Sequence, residues 1–224
     1  STNGFYFGIT KAKSLYQEIT TKLSTLDILL QETFPPRSCL IREITPKATR
    51  FGTISRVDFR WTNDLTVYEV GHPFSRIEFK PFNPGSPSQV VERLNEAGWK
   101  PYEKTKGHTK AERNQDEEAL KQYRLTGWSI SEANLATLPP TAPEGARKLV
   151  EWLTLNNRRV VLETWFKAYD EASQRIHGTF TPIGAWTHRM SHSNPNMANI
   201  PAGDNLYAHE MRALWGVPKG KLLV

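Results

Sequence analysis

Between Lys11 and Gln31 the apolar and aromatic positions fall at Leu15, Tyr16, Ile19, Leu23, Leu26, Ile28, Leu29 and Leu30. Steps of three and four with polar residues between them predict an amphipathic helix with one face in a core. Pro35-Pro36 ends it. From Cys39 to Phe82 the texture changes to short alternating runs, among them Arg50 to Phe59 and Ser75 to Phe79. Alternation at period two predicts antiparallel strands with one wet face, separated by turns at Asn63-Asp64 and Gly71-His72-Pro73. The helical pattern then returns. Ser86 is placed as an N-cap, with Pro87 at the first helical position and Gln89 to complete a capping box, so a helix should run to about Ala97 and close at Gly98. Ser129-Ile130-Ser131-Glu132 and Thr141-Ala142-Pro143-Glu144 repeat the start signal. The second should open a helix to roughly Ala172, with Leu149, Leu153, Val160, Trp165 and Tyr169 among its buried positions. The expected fold class is α+β.

Composition sharpens this only slightly. The 29 Lys and Arg against 23 Asp and Glu give +6 and suit a polyanionic partner without requiring one. One cysteine, Cys39, excludes an internal disulfide and argues for a reducing compartment. No apolar run approaches the ~20 residues of a membrane span, and no secretory signal is visible, so no membrane partner and a cytoplasmic setting are expected. No repeat is visible either. Lys104 to Arg124 mixes charges of both signs without large apolar residues and reads as a solvated helical excursion.

The richest stretch for function runs from Arg175 to Pro201, RIHGTFTPIGAWTHRMSHSNPNMANIP. It resembles the segment of family A DNA polymerases, the podovirus-type phage enzymes above all, that carries a primer-terminus arginine and ends in a Pro-Asn-Leu-Gln-Asn-Ile-Pro-like sequence. Arg175-Ile176-His177 matches the entering strand, Thr187 and Arg189 the Thr-Gly-Arg core, and Pro195 to Pro201 the end. The resemblance extends over most of the chain. Gly4-Phe5, Lys11 to Lys13 and Leu15-Tyr16 match the opening helix of the polymerase domain, after the place where a 3′-5′ exonuclease domain would end. Phe82 to Lys106 and Gly127 to Leu135 match thumb helices, leaving Gly107 to Thr126 as an excursion near the thumb tip.

The resemblance implies a helical thumb with long antiparallel helices plus antiparallel palm-edge strands. In residues, this is an N-terminal helix and palm-edge strands over 1–82, thumb over 83–172 and the front of the palm over 173–224. The family's metal-binding aspartate strand would follow Val224, so the chain is expected to be the front half of a polymerase domain, as in one half of a split enzyme. On that reading the chain holds no catalytic residue and no metal. The complete enzyme would use two magnesium ions and deoxynucleoside triphosphates, with a C-terminal half supplying the rest of palm and fingers, in the cytoplasm of a bacterial host if the gene is a phage's.

A polymerase must hold any sequence, so it contacts features common to all base pairs. The minor-groove acceptors, purine N3 and pyrimidine O2, are such features. An arginine fork can reach one at the primer end and loses it when a mismatch displaces the base. The resemblance assigns this role to Arg189. Thr187, Ser191, Asn196 and Asn199 are short polar groups suited to orienting it or meeting sugar and phosphate oxygens, and Arg158 and Arg159 are phosphate-contact candidates. Ser and Asn around Pro195 are equally ordinary turn residues, and a solvated helix face explains the arginine pair equally well. His188 and Ala198 depart from the family's glycine and glutamine.

Other chemistry is thinly supported. His188 and His192 are four apart, a zinc spacing on a helix, with His177 as a third ligand. No metalloprotease glutamate lies between them, and Pro195 argues against a helix there. Cys39 has no nucleophile signature around it. The remaining alternative is a stand-alone DNA-binding accessory derived from a polymerase.

Overall fold

The computed structural model describes residues 4–184, 187, 189–196, 200–201 and 203–217. Its elements are β1 (Phe5–Phe7), α1 (Ile9–Thr33), β2 (Arg37–Ile44), β3 (Phe74–Lys80), α2 (Pro87–Glu96), α3 (Lys106–Arg113), α4 (Glu117–Thr126), α5 (Glu132–Leu135), α6 (Glu144–Arg147), α7 (Leu149–Ala168), β4 (Tyr169–Asp170), β5 (Arg175–Ile176), β6 (Thr179–Thr181), β7 (Ser191–Ser193), α8 (Ala208–Arg212) and β8 (Trp215–Gly216). The fold is α+β with antiparallel sheets. Two compact units divide the chain, Phe34–Asn83 and the remainder.

In the larger unit α1 packs on α7. The buried row of α1 is Ala12, Leu15, Ile19, Leu23, Leu26 and Leu30, the three-four spacing that the sequence displays. Ile28 lies off that row and is exposed. α7 buries Leu149, Trp152, Leu155, Val161, Leu162 and Trp165. Two polar links join the pair: Trp152 Nε1 donates to Asp27 Oδ1 at 2.6 Å, and the Tyr16 hydroxyl donates to Glu163 Oε1 at 2.8 Å. Four short strands form an antiparallel sheet in the order β4-β5-β1-β8. Phe7, only 1% exposed, packs on Trp165 and Trp215 there, so this sheet and the end of α7 share one aromatic core.

The expected helix from Glu144 to Ala172 is two helices instead. The chain breaks at Lys148 (φ −78°, ψ −8°) and α7 ends at Ala168. Tyr169 is extended because it pairs with Ile176 in the sheet, an interaction between chain segments that a helical pattern cannot report. Among the expected buried positions Leu149 and Trp165 are inside, Val160 is exposed, and Leu153 and Tyr169 are half-buried. Ser86 occupies the N-cap of α2, yet its hydroxyl meets the Ser88 hydroxyl at 3.1 Å and not a helix N–H. Gly98 does close that helix, at φ +87°. Ser131 caps α5, accepting from Asn134 N.

The charged excursion is helical, as its composition suggests, and consists of α3 and α4 packed together. His108 is its buried centre. The ring Nδ1 lies 3.0 Å from Gly127 O, Tyr123 stacks on one side, and Trp128 meets it edge-on. Asn134 is completely buried and satisfied: Oδ1 accepts from Tyr102 N at 3.2 Å while Nδ2 donates to Ser129 O at 2.6 Å.

Within Phe34–Asn83, β2 and β3 form an antiparallel ladder from Arg37↔Lys80 to Ile44↔Phe74, with a bulge between Leu40 and Arg42. Arg50 to Phe59 is not the strand that its alternation predicts. Gly52 adopts φ +77°, Thr49 N donates to Thr53 O to close a turn, Ile54 makes a lone bridge to Ala48, and Arg56–Asp58 is a short 3-10 helix. The segment folds on itself, and Phe59, Tyr68 and Phe74 cluster. Among the described residues, no helix is long and apolar enough to cross a membrane.

Candidate nucleic-acid interface

The stretch singled out in the sequence forms a hairpin and its exit. β6 and β7 pair as Thr179↔Ser193, Phe180↔His192 and Thr181↔Ser191. The Phe180 ring stacks edge-on against His192 (centroids 4.8 Å apart) and touches Phe5, which ties the hairpin to β1. Gly184 comes so near the returning arm that a Cβ there would stand 1.8 Å from Ser191 Oγ. Only a residue without a side chain fits, and the loop between the strands is thereby held close. Thr187 and Arg189 are on this loop, both exposed. Ser191 is half-buried on β7, and Asn196 is exposed two residues past Asn194, which adopts φ +52°. Asn199, His188 and Ala198 lie outside the described residues.

Arg158 and Arg159, both on α7, are engaged within the chain. Arg158 Nε donates to Leu206 O at 3.2 Å, and partial burial lowers its pKa from the ordinary arginine value. Arg159 is bonded to Glu163 (2.8 Å) and to Asn156 Oδ1 (2.7 Å). Neither side chain belongs to the hairpin. His192 is on a strand, and the spacing to His188 falls outside the described residues. Ser173 Oγ is 3.3 Å from His177 Nε2. No group of three or more His, Cys, Asp or Glu side chains is arranged to hold a metal ion among the described residues.

Residues 67–224 match the family model for DNA polymerase family A. The chain belongs to that family. It is 28% identical over 242 residues to a DNA-directed DNA polymerase of Escherichia phage T7, covering 96% of this chain and 32% of the relative. A DNA-directed DNA polymerase of Enterobacteria phage T3 is 30% identical over 156 residues, 68% of this chain and 20% of the relative. The chain thus spans a third or less of the length of these phage enzymes. In fold it is similar to the POL domain of Pol1 from M. smegmatis, solved in complex with DNA primer-template and dNTP, with a TM-score of 0.62 at 17% identity, covering 97% of this chain and 27% of that one.

This family A chain also has a polar cluster that no sequence spacing announces. The Tyr207 hydroxyl donates to Glu18 Oε1 at 2.5 Å and accepts from Lys22 Nζ at 2.5 Å, while Lys22 and Glu18 are 3.1 Å apart. The hydrogen bond from Tyr207, then that from Lys22, holds the Glu18 carboxyl below its usual range. The bond to Tyr207, then that to Glu18, raises Lys22. Burial first, then Glu18, raises the Tyr207 phenol. One turn along, Arg212 Nε donates to Pro201 O at 3.0 Å. These partners are 185 and 189 residues apart along the chain, a separation at which local pattern is silent.

Proposed function

We propose that this chain is the part of a family A polymerase domain that grips primer-template duplex and reads the minor groove at the primer end. The observation that carries the reading is the exposed pair Thr187 and Arg189 on the β6–β7 loop, at the positions where the family motif has its threonine and primer-terminus arginine. A guanidinium on a loop anchored between two paired strands has a fixed base, which suits a fork that must find one acceptor. The helical part, 83–172, serves as thumb. The front of the palm is 173–224, of which β5 and β8 share a sheet with Phe5–Phe7 from the N-terminal part, 1–82.

The complete enzyme would use magnesium ions and a deoxynucleoside triphosphate at the primer 3′ hydroxyl. The role proposed for this chain's own side chains is positioning. Ser191 and Asn196 follow the arginine along the chain and supply hydroxyl and amide groups for the sugar-phosphate backbone, and Asn199 is the further candidate. Arg158 and Arg159 would have to exchange their present partners for phosphate.

Fluorescence anisotropy of the 224-residue chain with a recessed primer-template and with a blunt duplex of equal length tests this. The primer-template should bind more tightly, and Arg189→Ala should remove that preference while sparing blunt-duplex binding. Equal affinity for both DNAs would end the reading. Co-purification with a polypeptide carrying the rest of a polymerase domain separates a polymerase part from a stand-alone accessory.

A further inference from the structure

The charged excursion opens with α3, whose charges are sorted by face. At about 100° per residue, Lys106, Lys110 and Arg113 fall within about 60° of arc, and the buried pair His108 and Ala111 falls on the opposite side. All three cations are exposed, and among the described residues none of them is in an ion pair. Glu112 is the one carboxylate on α3 and lies about 100° around the helix from Arg113. Its charge is already met, because Oε1 accepts from Lys104 Nζ at 2.5 Å and is 3.8 Å from His108 Nε2. The next carboxylates, Asp116, Glu117 and Glu118, gather at the start of α4, where Asp116 Oδ1 accepts from Ala119 N. Lys104, Lys106, Thr109, Lys110 and Arg113 line one open concavity of about 320 Å³, so its lining is four cationic side chains and a hydroxyl-bearing one. Like charges four apart on a helix repel, and a stripe of them without carboxylates is relieved when an anion covers it.

We propose that the exposed face of α3 is a docking surface for the phosphate backbone of duplex DNA, with Lys106, Lys110 and Arg113 each meeting a phosphate. The proposal rests on the reading of the helical part as the thumb that holds duplex. At about 1.5 Å per residue the stripe is roughly 10 Å long. Each strand of B-DNA presents one phosphate per about 3.4 Å of axis, so the stripe faces about three of them whatever the base sequence. Such contacts fix grip and register and read no base. The arginine pair of α7 is less suited to this work. Arg158 is bonded to Leu206 O, and Arg159 to Glu163 and Asn156, so each would give up a partner to take a phosphate. The cations of α3 have no ion-pair partner to give up.

The experiment titrates the 224-residue chain against a fluorescein-labelled blunt duplex at a series of salt concentrations and reads anisotropy. Lys106→Gln, Lys110→Gln and Arg113→Gln should each lower the slope of log K against log salt by about 0.9, and the triple variant by about two to three. Lys110→Arg keeps the charge and should keep the wild-type slope. Lys121→Gln removes an exposed cation of α4 outside the concavity and should leave the slope unchanged. A second duplex of unrelated sequence should give the same losses. Thermal melting establishes that each variant is folded, and the single variants decide if the triple one is not. A wild-type chain that binds duplex with a steep salt slope, and whose α3 variants keep that slope, overturns the docking surface and leaves the thumb reading standing. An equal fall in Lys121→Gln, or a loss seen with one duplex sequence alone, also overturns it. A wild-type chain that does not bind duplex overturns the thumb reading and the docking surface together.

Discussion

Arg189 is the residue on which the functional reading turns. If its fork takes a minor-groove acceptor common to all four base pairs, Arg189→Ala should cost about 1–3 kcal/mol at a matched primer end, with little dependence on which pair is terminal. A mismatched end has already lost the bond and should respond much less. Binding titrations with four matched termini and one mismatched terminus check this; an effect confined to one base pair would remove Arg189 from the role. A second residue-scale expectation concerns pH. The Glu18 carboxyl is held below its usual range, chiefly by the hydrogen bond from Tyr207. A depressed folded-state pKa contributes stability that is present above the unfolded carboxylate value and lost as pH falls through the folded value. Melting temperatures measured from neutral pH down through the carboxylate range should therefore fall less steeply in Glu18→Gln than in wild type. Parallel curves would show that the contact contributes nothing.

At the scale of elements, the α3–α4 hairpin depends on close approach at its exit. A Cβ on Gly127 would lie 2.5 Å from Tyr123 Cβ and 2.6 Å from Tyr123 O, backbone and near-backbone atoms that cannot swing away. Gly127→Ala should destabilise the protein by about 1–3 kcal/mol, as overpacking does, and should shift the near-UV signal of Tyr123 and Trp128. Thermal unfolding with wild-type behaviour would mean that the hairpin yields at no cost. The α1–α7 pair makes a contrasting case. Leu155 is fully buried on α7, so Leu155→Ala should cost about 2–5 kcal/mol, whereas Val160→Ala, at an exposed position, should cost little. Denaturant titration of the two variants compares them directly.

For the whole molecule, the two units differ in what holds them. The larger has the buried rows of α1 and α7 and an aromatic core, while Phe34–Asn83 has a two-stranded ladder on which Leu40, Ile77 and Phe79 remain exposed. An isolated pair of strands is marginally stable. Amides of β2 and β3 should accordingly exchange with deuterium well before those of α1 and α7. Equal protection in both would contradict that ordering.

The sequence by itself determined what depends on neighbours along the chain. The amphipathic row of α1, the start of α2 after Ser86 with Gly98 as its stop, and the helical nature of the charged excursion all arise from residues within one or two turns of each other. The alternation of β2 and β3 showed strands but not which runs would pair: Arg37–Ile44 takes Phe74–Lys80 as its partner, and Arg50 to Phe59, equally alternating, is a turn and a 3-10 helix. Tertiary structure alone decided where the helix before Tyr169 stops, which face of α7 is inside, and that Glu18 and Lys22 meet Tyr207. Those outcomes are set by contacts between segments far apart in the chain. Their energies depend on three-dimensional proximity, and periodicity records only which residues share a face.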